Sequence, residues 1–136
     1  MNNALGKIAT TIRTVLVDFP EIQVATVFGS AACNRLRSDS DIDIAVAASA
    51  PLSSEKTRAL KEALFLALER EIDLIDLCRV NGFILTEALA HGQTILNKSS
   101  ETLRVLMRKL WYWNADFAPL VRQALDRKAR RFIYGT

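Results

Sequence analysis

The sequence predicts a small α/β (α+β) domain: a mixed β-sheet packed by helices, with a C-terminal helical extension. Three observations carry this. Residues 22–28 are a nearly continuous apolar run, short enough for a strand buried on both faces, and residues 41–48 read as a second strand, apolar apart from its two aspartates. A third run, Glu71 to Leu77, follows a helical stripe of Leu60, Ala63, Leu64, Ala67 and Leu68. Apolar residues also recur at helical spacing over residues 3–18 and from Ser99 onward.

The elements follow in order. Leu5, Ile8, Ala9, Ile12, Val15 and Leu16 share one helix face, and Pro20 ends that helix. The first strand closes at Gly29-Ser30, and the second opens at Asp41. Pro51 and Ser53-Ser54 mark the next helix start. Strand, helix, strand at this length is a βαβ unit, so the second and third strands are expected parallel with a right-handed crossover. The first strand is expected antiparallel to the second. Asn81 to His91 reads as a short helix with Gly92 as its left-handed cap. Ile95-Leu96 reads as a brief edge strand. Ser99 or Ser100 can cap the last helix. Its stripes are Leu103, Leu106, Met107, Leu110 and Asn114, then Phe117, Leu120, Val121, Ala124 and Leu125, with Pro119 breaking or kinking it between them.

Composition narrows the function classes. At 136 residues, half of them hydrophobic, one domain with a substantial core is expected. No apolar run reaches the roughly 18 residues a membrane span needs. Met1 to Gly6 lacks a signal-peptide pattern, and Cys33 and Cys78 form neither a disulfide framework nor a zinc motif. A cytoplasmic protein with two lone buried cysteines is the expectation. Charge is uneven. Residues 1–97 hold nine basic and twelve acidic residues, a balance of −3, and residues 98–136 hold nine and three, a balance of +6. The division expected is a mildly acidic body over 1–97 and a basic helical extension over 98–136, packed on the same domain.

The chemistry gathers between the first two strands. Asp41 and Asp43 are two residues apart in a strand, so they share a face, while Ile42, Ile44 and Val46 take the other. Side-by-side carboxylates repel, and burying them unpaired is costly. A divalent cation relieves both problems. Gly29 lets a phosphate approach the backbone, and Ser30 offers it a hydroxyl and an N–H. In a parallel neighbour, Asp73 would lie beside the pair, whereas Asp76 lies about 10 Å further along and points to the other face. Asp73 is therefore the expected third carboxylate, and Asp76 a capping or salt-bridge residue. His91, at a helix end, reads as structural rather than as a base. A β-hairpin with an acidic turn over Ser38 to Asp43 is the plain alternative; it leaves unexplained an aspartate inside the strand.

Gly29-Ser30, ten residues, Asp41-x-Asp43 and an apolar strand resemble the signature of the polymerase-β-type nucleotidyltransferase superfamily, over roughly residues 20–97. The short length points to its minimal nucleotidyltransferase (MNT) branch, best known as the antitoxin half of HEPN–MNT toxin–antitoxin pairs. The resemblance implies a nucleotidyltransferase fold, with ATP as substrate and Asp41, Asp43 and Asp73 as catalytic metal ligands. Two Mg²⁺ ions roughly 3.5–4 Å apart would serve an in-line displacement. Gly29, Ser30, Ser40 and Arg35 are the expected nucleotide-binding residues, with Arg37 an alternative to Arg35. The family often places Arg and Gly soon after Gly-Ser; here Ala32-Cys33-Asn34 intervene.

The resemblance also implies a reaction. AMP would pass from ATP to a tyrosine of a HEPN-family toxin, the antitoxin neutralising its partner. A small-molecule, antibiotic-type nucleotidyltransferase and a non-catalytic binding antitoxin are the alternatives. Trp111, Tyr112 and Trp113 are consecutive and cannot all face one core, so they either anchor a partner or bridge two helices. The basic set Arg122, Arg127, Lys128, Arg130 and Arg131, near Phe132 and Tyr134, admits a solvated face, an acidic partner, or direct nucleic-acid binding.

Overall fold

A computed structural model describes residues 3–29, 41–120, 122–124 and 126–127. Helix α1 (Asn3–Leu16) leads to strand β1 (Val24–Phe28). Strand β2 (Ile42–Ala47), helix α2 (Ser54–Leu68) and strand β3 (Ile72–Asp76) follow as the expected βαβ unit. Helix α3 (Gly82–Leu89), strand β4 (Gln93–Asn97) and helix α4 (Ser100–Tyr112) complete the order.

The four strands form one mixed sheet in the order β3-β2-β1-β4. β2 and β3 are parallel, with Asp43 opposite Asp73. β1 is antiparallel to β2, with Phe28 opposite Asp43, and antiparallel to β4. The end of β1 and the starts of β2 and β3 therefore meet at one sheet edge.

Both sheet faces are covered. Ala25, Val27, Ile42, Ile44 and Val46 pack with the apolar stripes of α1 and α2. Val24, Phe28, Ala45, Ala47 and Leu77 pack with Leu85 and Ala88 of α3 and Leu106 and Leu110 of α4. Burying one Ile or Leu side chain contributes about 1.5–3 kcal/mol. Ile42 and Ile44 are fully buried, which pins the register. A one-residue slip would turn Asp43 into the α1/α2 core and move both isoleucines to the opposite face of the sheet.

Local signals start and stop the helices. Ser53 caps α2 through Lys56 N–H, Asn81 caps α3 through Phe83 and Ile84 N–H, and Ser99 caps α4 through Thr102 N–H. Glu69 ends α2 in the left-handed region at φ 56°.

Several expectations are corrected. The only glycine with positive φ among the described residues is Gly29, so Gly92 is not a left-handed cap. Gly92 is small because a Cβ there would overlap the Ala88 carbonyl and lie 2.9 Å from that of Val27. The edge strand is five residues long rather than two. Met107, Asn114, Leu120 and Ala124 are exposed rather than striped onto a core, as is Ala67 in α2. Pro119 does not stop the helix: a wide i→i+5 turn over Trp113–Phe117 precedes it, and residues 118–120 remain helical. Such a turn absorbs the hydrogen bond and the space that proline removes. Cys78 is half-buried, its thiol 3.7 Å from the Ala48 carbonyl oxygen. Trp113 bridges α3 and α4, its ring seated on Gly82 and edge-on to Phe83 at 5.0 Å, while Trp111 and Tyr112 are 65% and 53% exposed. Cys33, Val121, Leu125, Lys128, Arg130, Arg131, Phe132, Tyr134 and the Phe117 side chain lie outside the described residues.

Candidate active site

The site is built on the edge where β1 ends and β2 and β3 begin. Ile42 N–H donates to the Glu71 carbonyl at 3.0 Å, a bond that ties the starts of β2 and β3 together. Parallel register then puts the side chains of Asp43 and Asp73 on the same sheet face. That is the face covered further along by α3 and α4, since Asp43 alternates with the buried Ile42 and Ile44.

Gly29 closes the third side. It adopts φ +69°, and a Cβ there would overlap Oδ2 of Asp43 and lie 3.3 Å from its Cγ. Glycine is needed both for this conformation and for the space the carboxylate occupies.

Electrostatics mark Asp43. Burial raises its carboxyl, and the Asp73 charge, a hydrogen bond to Asp73 and the Asp41 charge raise it further, from an ordinary 3.8 to about 6. Among the described residues, no cation is ion-paired with Asp43 or Asp73. Asp41 is exposed just before β2, and Asp73 is exposed near the start of β3. Among the described residues, no three acidic, histidine or cysteine side chains stand closed around one point. The arrangement is thus a facing pair, Asp43 and Asp73, with Asp41 acting on it through its charge.

The donor set suits a hard divalent cation. It offers only carboxylate oxygens, and it lacks a resident counter-charge among the described residues, with burial and the neighbouring acids raising the Asp43 carboxyl. Ser30, Arg35, Arg37 and Ser40 lie outside the described residues.

Asp76 does other work. Its side chain is 6% exposed and accepts from Leu52 N–H at 2.8 Å and Cys78 N–H at 2.9 Å, with Arg79 Nε at 3.6 Å. It ties the loop before α2 to the end of β3. His91 is exposed and beyond α3, with its N–H donating to the Thr86 carbonyl at 3.3 Å. Sequence reasoning missed Glu71, because it acts through its backbone carbonyl, which carries no residue signature.

Comparison with known proteins agrees with this fold. A curated relative, the protein adenylyltransferase MntA of Shewanella oneidensis, is 29% identical over 84 residues. The match covers 62% of this chain and spans only 60% of that relative's length. A solved toxin–antitoxin structure with AMP-PNP superposes with a TM-score of 0.75 at 24% identity, covering 89% of this chain and 97% of the other. An MNT antitoxin solved with a tri-AMPylated Shewanella oneidensis HEPN toxin superposes at 0.73 and 21% identity, covering 92% and 98%. At these identities the likeness establishes the fold. The family described as polymerase beta nucleotidyltransferase matches residues 10–101, a span running from α1 through the whole sheet and the Gly29, Asp43 and Asp73 corner, and this chain belongs to it.

Proposed function

We propose that this chain is an antitoxin-type protein adenylyltransferase, moving AMP from ATP to a tyrosine hydroxyl of a HEPN-family toxin. The observation that carries the reading is the facing of Asp43 and Asp73 at the Gly29 corner, with the Asp43 carboxyl raised to about 6 and no cation paired to either acid among the described residues. The MntA relative's activity and the AMP-PNP and AMPylated-toxin structures support the choice of nucleotide and acceptor.

In this mechanism Asp41, Asp43 and Asp73 would hold Mg²⁺, two ions in the fullest form, which when bound would supply positive charge against the triphosphate. Asp43, the least exposed of the three acids, has its carboxyl raised only to about 6, so near neutral pH it is mostly ionised and able to hold a cation. Asp73, exposed and facing Asp43, orients the tyrosine hydroxyl and takes its proton as that oxygen attacks the α-phosphorus. Gly29, with Ser30, Ser40 and Arg35, seats the phosphates as pyrophosphate leaves. Residues 1–97 form the minimal nucleotidyltransferase unit, and 98–136 a basic helical extension packed on it. The setting is cytoplasmic, where ATP and Mg²⁺ are plentiful.

The test is direct. Purified chain, Mg²⁺ and α-labelled ATP are incubated with a co-purified HEPN toxin. Label is expected on a toxin tyrosine and absent with Asp43→Asn or Asp73→Asn. Label that survives both substitutions, or that goes to an aminoglycoside instead, would refute the reading.

A further inference from the structure

We propose that the groove between α3 and α4 docks an acidic, amphipathic helical segment of a partner protein. The groove encloses about 430 Å³ and is lined by Gly82, Val105, Arg108, Lys109, Tyr112 and Trp113. Its floor is set by a rigid contact: the Trp113 ring sits where any side chain on residue 82 would have to be, and meets Phe83 edge-on. Phe83, Val105 and Tyr112 are each more than half exposed, so large apolar groups stand in water with nothing over them among the described residues.

Charge selects the occupant. No acid lines the groove. Arg108 has no carboxylate partner among the described residues, and Lys109 Nζ donates to the Val80 carbonyl at 3.0 Å, which leaves its charge unneutralised. Two cations beside an apolar trough between two helices fit a third helix with carboxylates flanking its apolar stripe. Nucleic acid fits less well. The Trp113 face is taken by Gly82, Tyr112 meets Trp111 edge-on at 5.3 Å, and two cations are few for tracking a phosphate backbone.

Position gives the groove its use. α3 runs from the groove at Gly82 to Leu89, and Gly92 just beyond touches Val27 and Phe28 at the active-site edge. Eight residues at 1.5 Å each make about 12 Å. A partner held here lies on the same sheet face as Asp43 and Asp73, with its acceptor a short loop away. The inference deepens the adenylyl-transfer reading and rests on it for the partner's role as acceptor.

The test installs p-benzoylphenylalanine at Val105 of the full chain in the cells it comes from, with the same probe at the exposed Leu66 of α2 as control. Irradiation at position 105 is expected to join a partner protein through a segment with apolar residues at helical spacing and net negative charge. Arg108→Glu is expected to cut that yield at least about fivefold, since a central interface cation commonly carries that much affinity. Failure to cross-link, joining to nucleic acid or to a second copy of this chain, equal yield from position 66, a segment without negative charge, or a yield indifferent to Arg108→Glu each overturns the proposal. Asp43→Asn separates the two readings, since docking persists while AMP transfer stops. An acidic docked segment on a protein that never receives AMP would uphold the groove and defeat the transferase reading.

Discussion

The carboxylate of Asp43 occupies the space that a side chain on Gly29 would need. Gly29 follows the last residue of β1, and Asp43 lies on the neighbouring antiparallel β2, directly opposite Phe28. Gly29→Ala must therefore move the acid, and must also hold alanine at φ +69°. The expected cost is about 1–3 kcal/mol of stability. AMP transfer should fall at least as far as the displacement of Asp43 dictates. Thermal unfolding and label transfer from ATP check both.

Asp43 links stability to pH. Its folded value of about 6 lies above the ordinary 3.8. The metal-free folded chain therefore holds an extra proton between about pH 4 and 6. The stability tied to that proton is present below the lower value and is lost as pH rises through the upper one. Relative to Asp43→Asn, wild type should lose on the order of 1 kcal/mol between about pH 4 and 7.5, after allowance for solvent screening at a partly exposed group. Mg²⁺ should restore the loss at neutral pH, and chelation should bring it back. Paired melts across pH check the sign.

Asp73 and Asp76 should separate cleanly. Asp73 faces Asp43 and is exposed, so Asp73→Asn is expected to leave the unfolding temperature near wild type and to lower transfer by about 10²–10⁴. Asp76 accepts two backbone N–H groups in a buried setting, so Asp76→Ala is expected to cost about 2–4 kcal/mol. Any loss of transfer in Asp76→Ala should then follow loss of folded protein. Unfolding and transfer measured on both variants test the contrast.

Glu69 ends α2 at φ 56°, a conformation that side chains rarely adopt. Glu69→Gly should stabilise the chain by about 1 kcal/mol, with the N–H to the Phe65 carbonyl at 2.8 Å retained. A chemical denaturation midpoint higher than wild type, with unchanged slope, is the expected result.

Much of this was legible in the chain itself. The period-2 run from Asp41 to Ala47 put two acids on one face and three branched residues on the other. The strand–helix–strand spacing made β2 and β3 parallel, which brings Asp73 rather than Asp76 to Asp43. These inferences hold because side-chain alternation and chain reach are local properties. Gly92 departs from the expected cap because a glycine after a helix can serve backbone twist or close approach, and only the neighbouring Ala88 and Val27 carbonyls tell which.

What the sequence alone determined was the order of elements, the buried strands and the three candidate acids, all of which follow from short-range pattern. What tertiary structure decided was where desolvation falls and which surfaces stay open. Asp43 is raised because the fold buries it and sets Asp73, thirty residues away, across from it, and Trp113 finds Gly82 across thirty-one. Both depend on through-space distance between segments far apart in the chain, a quantity that no local pattern encodes.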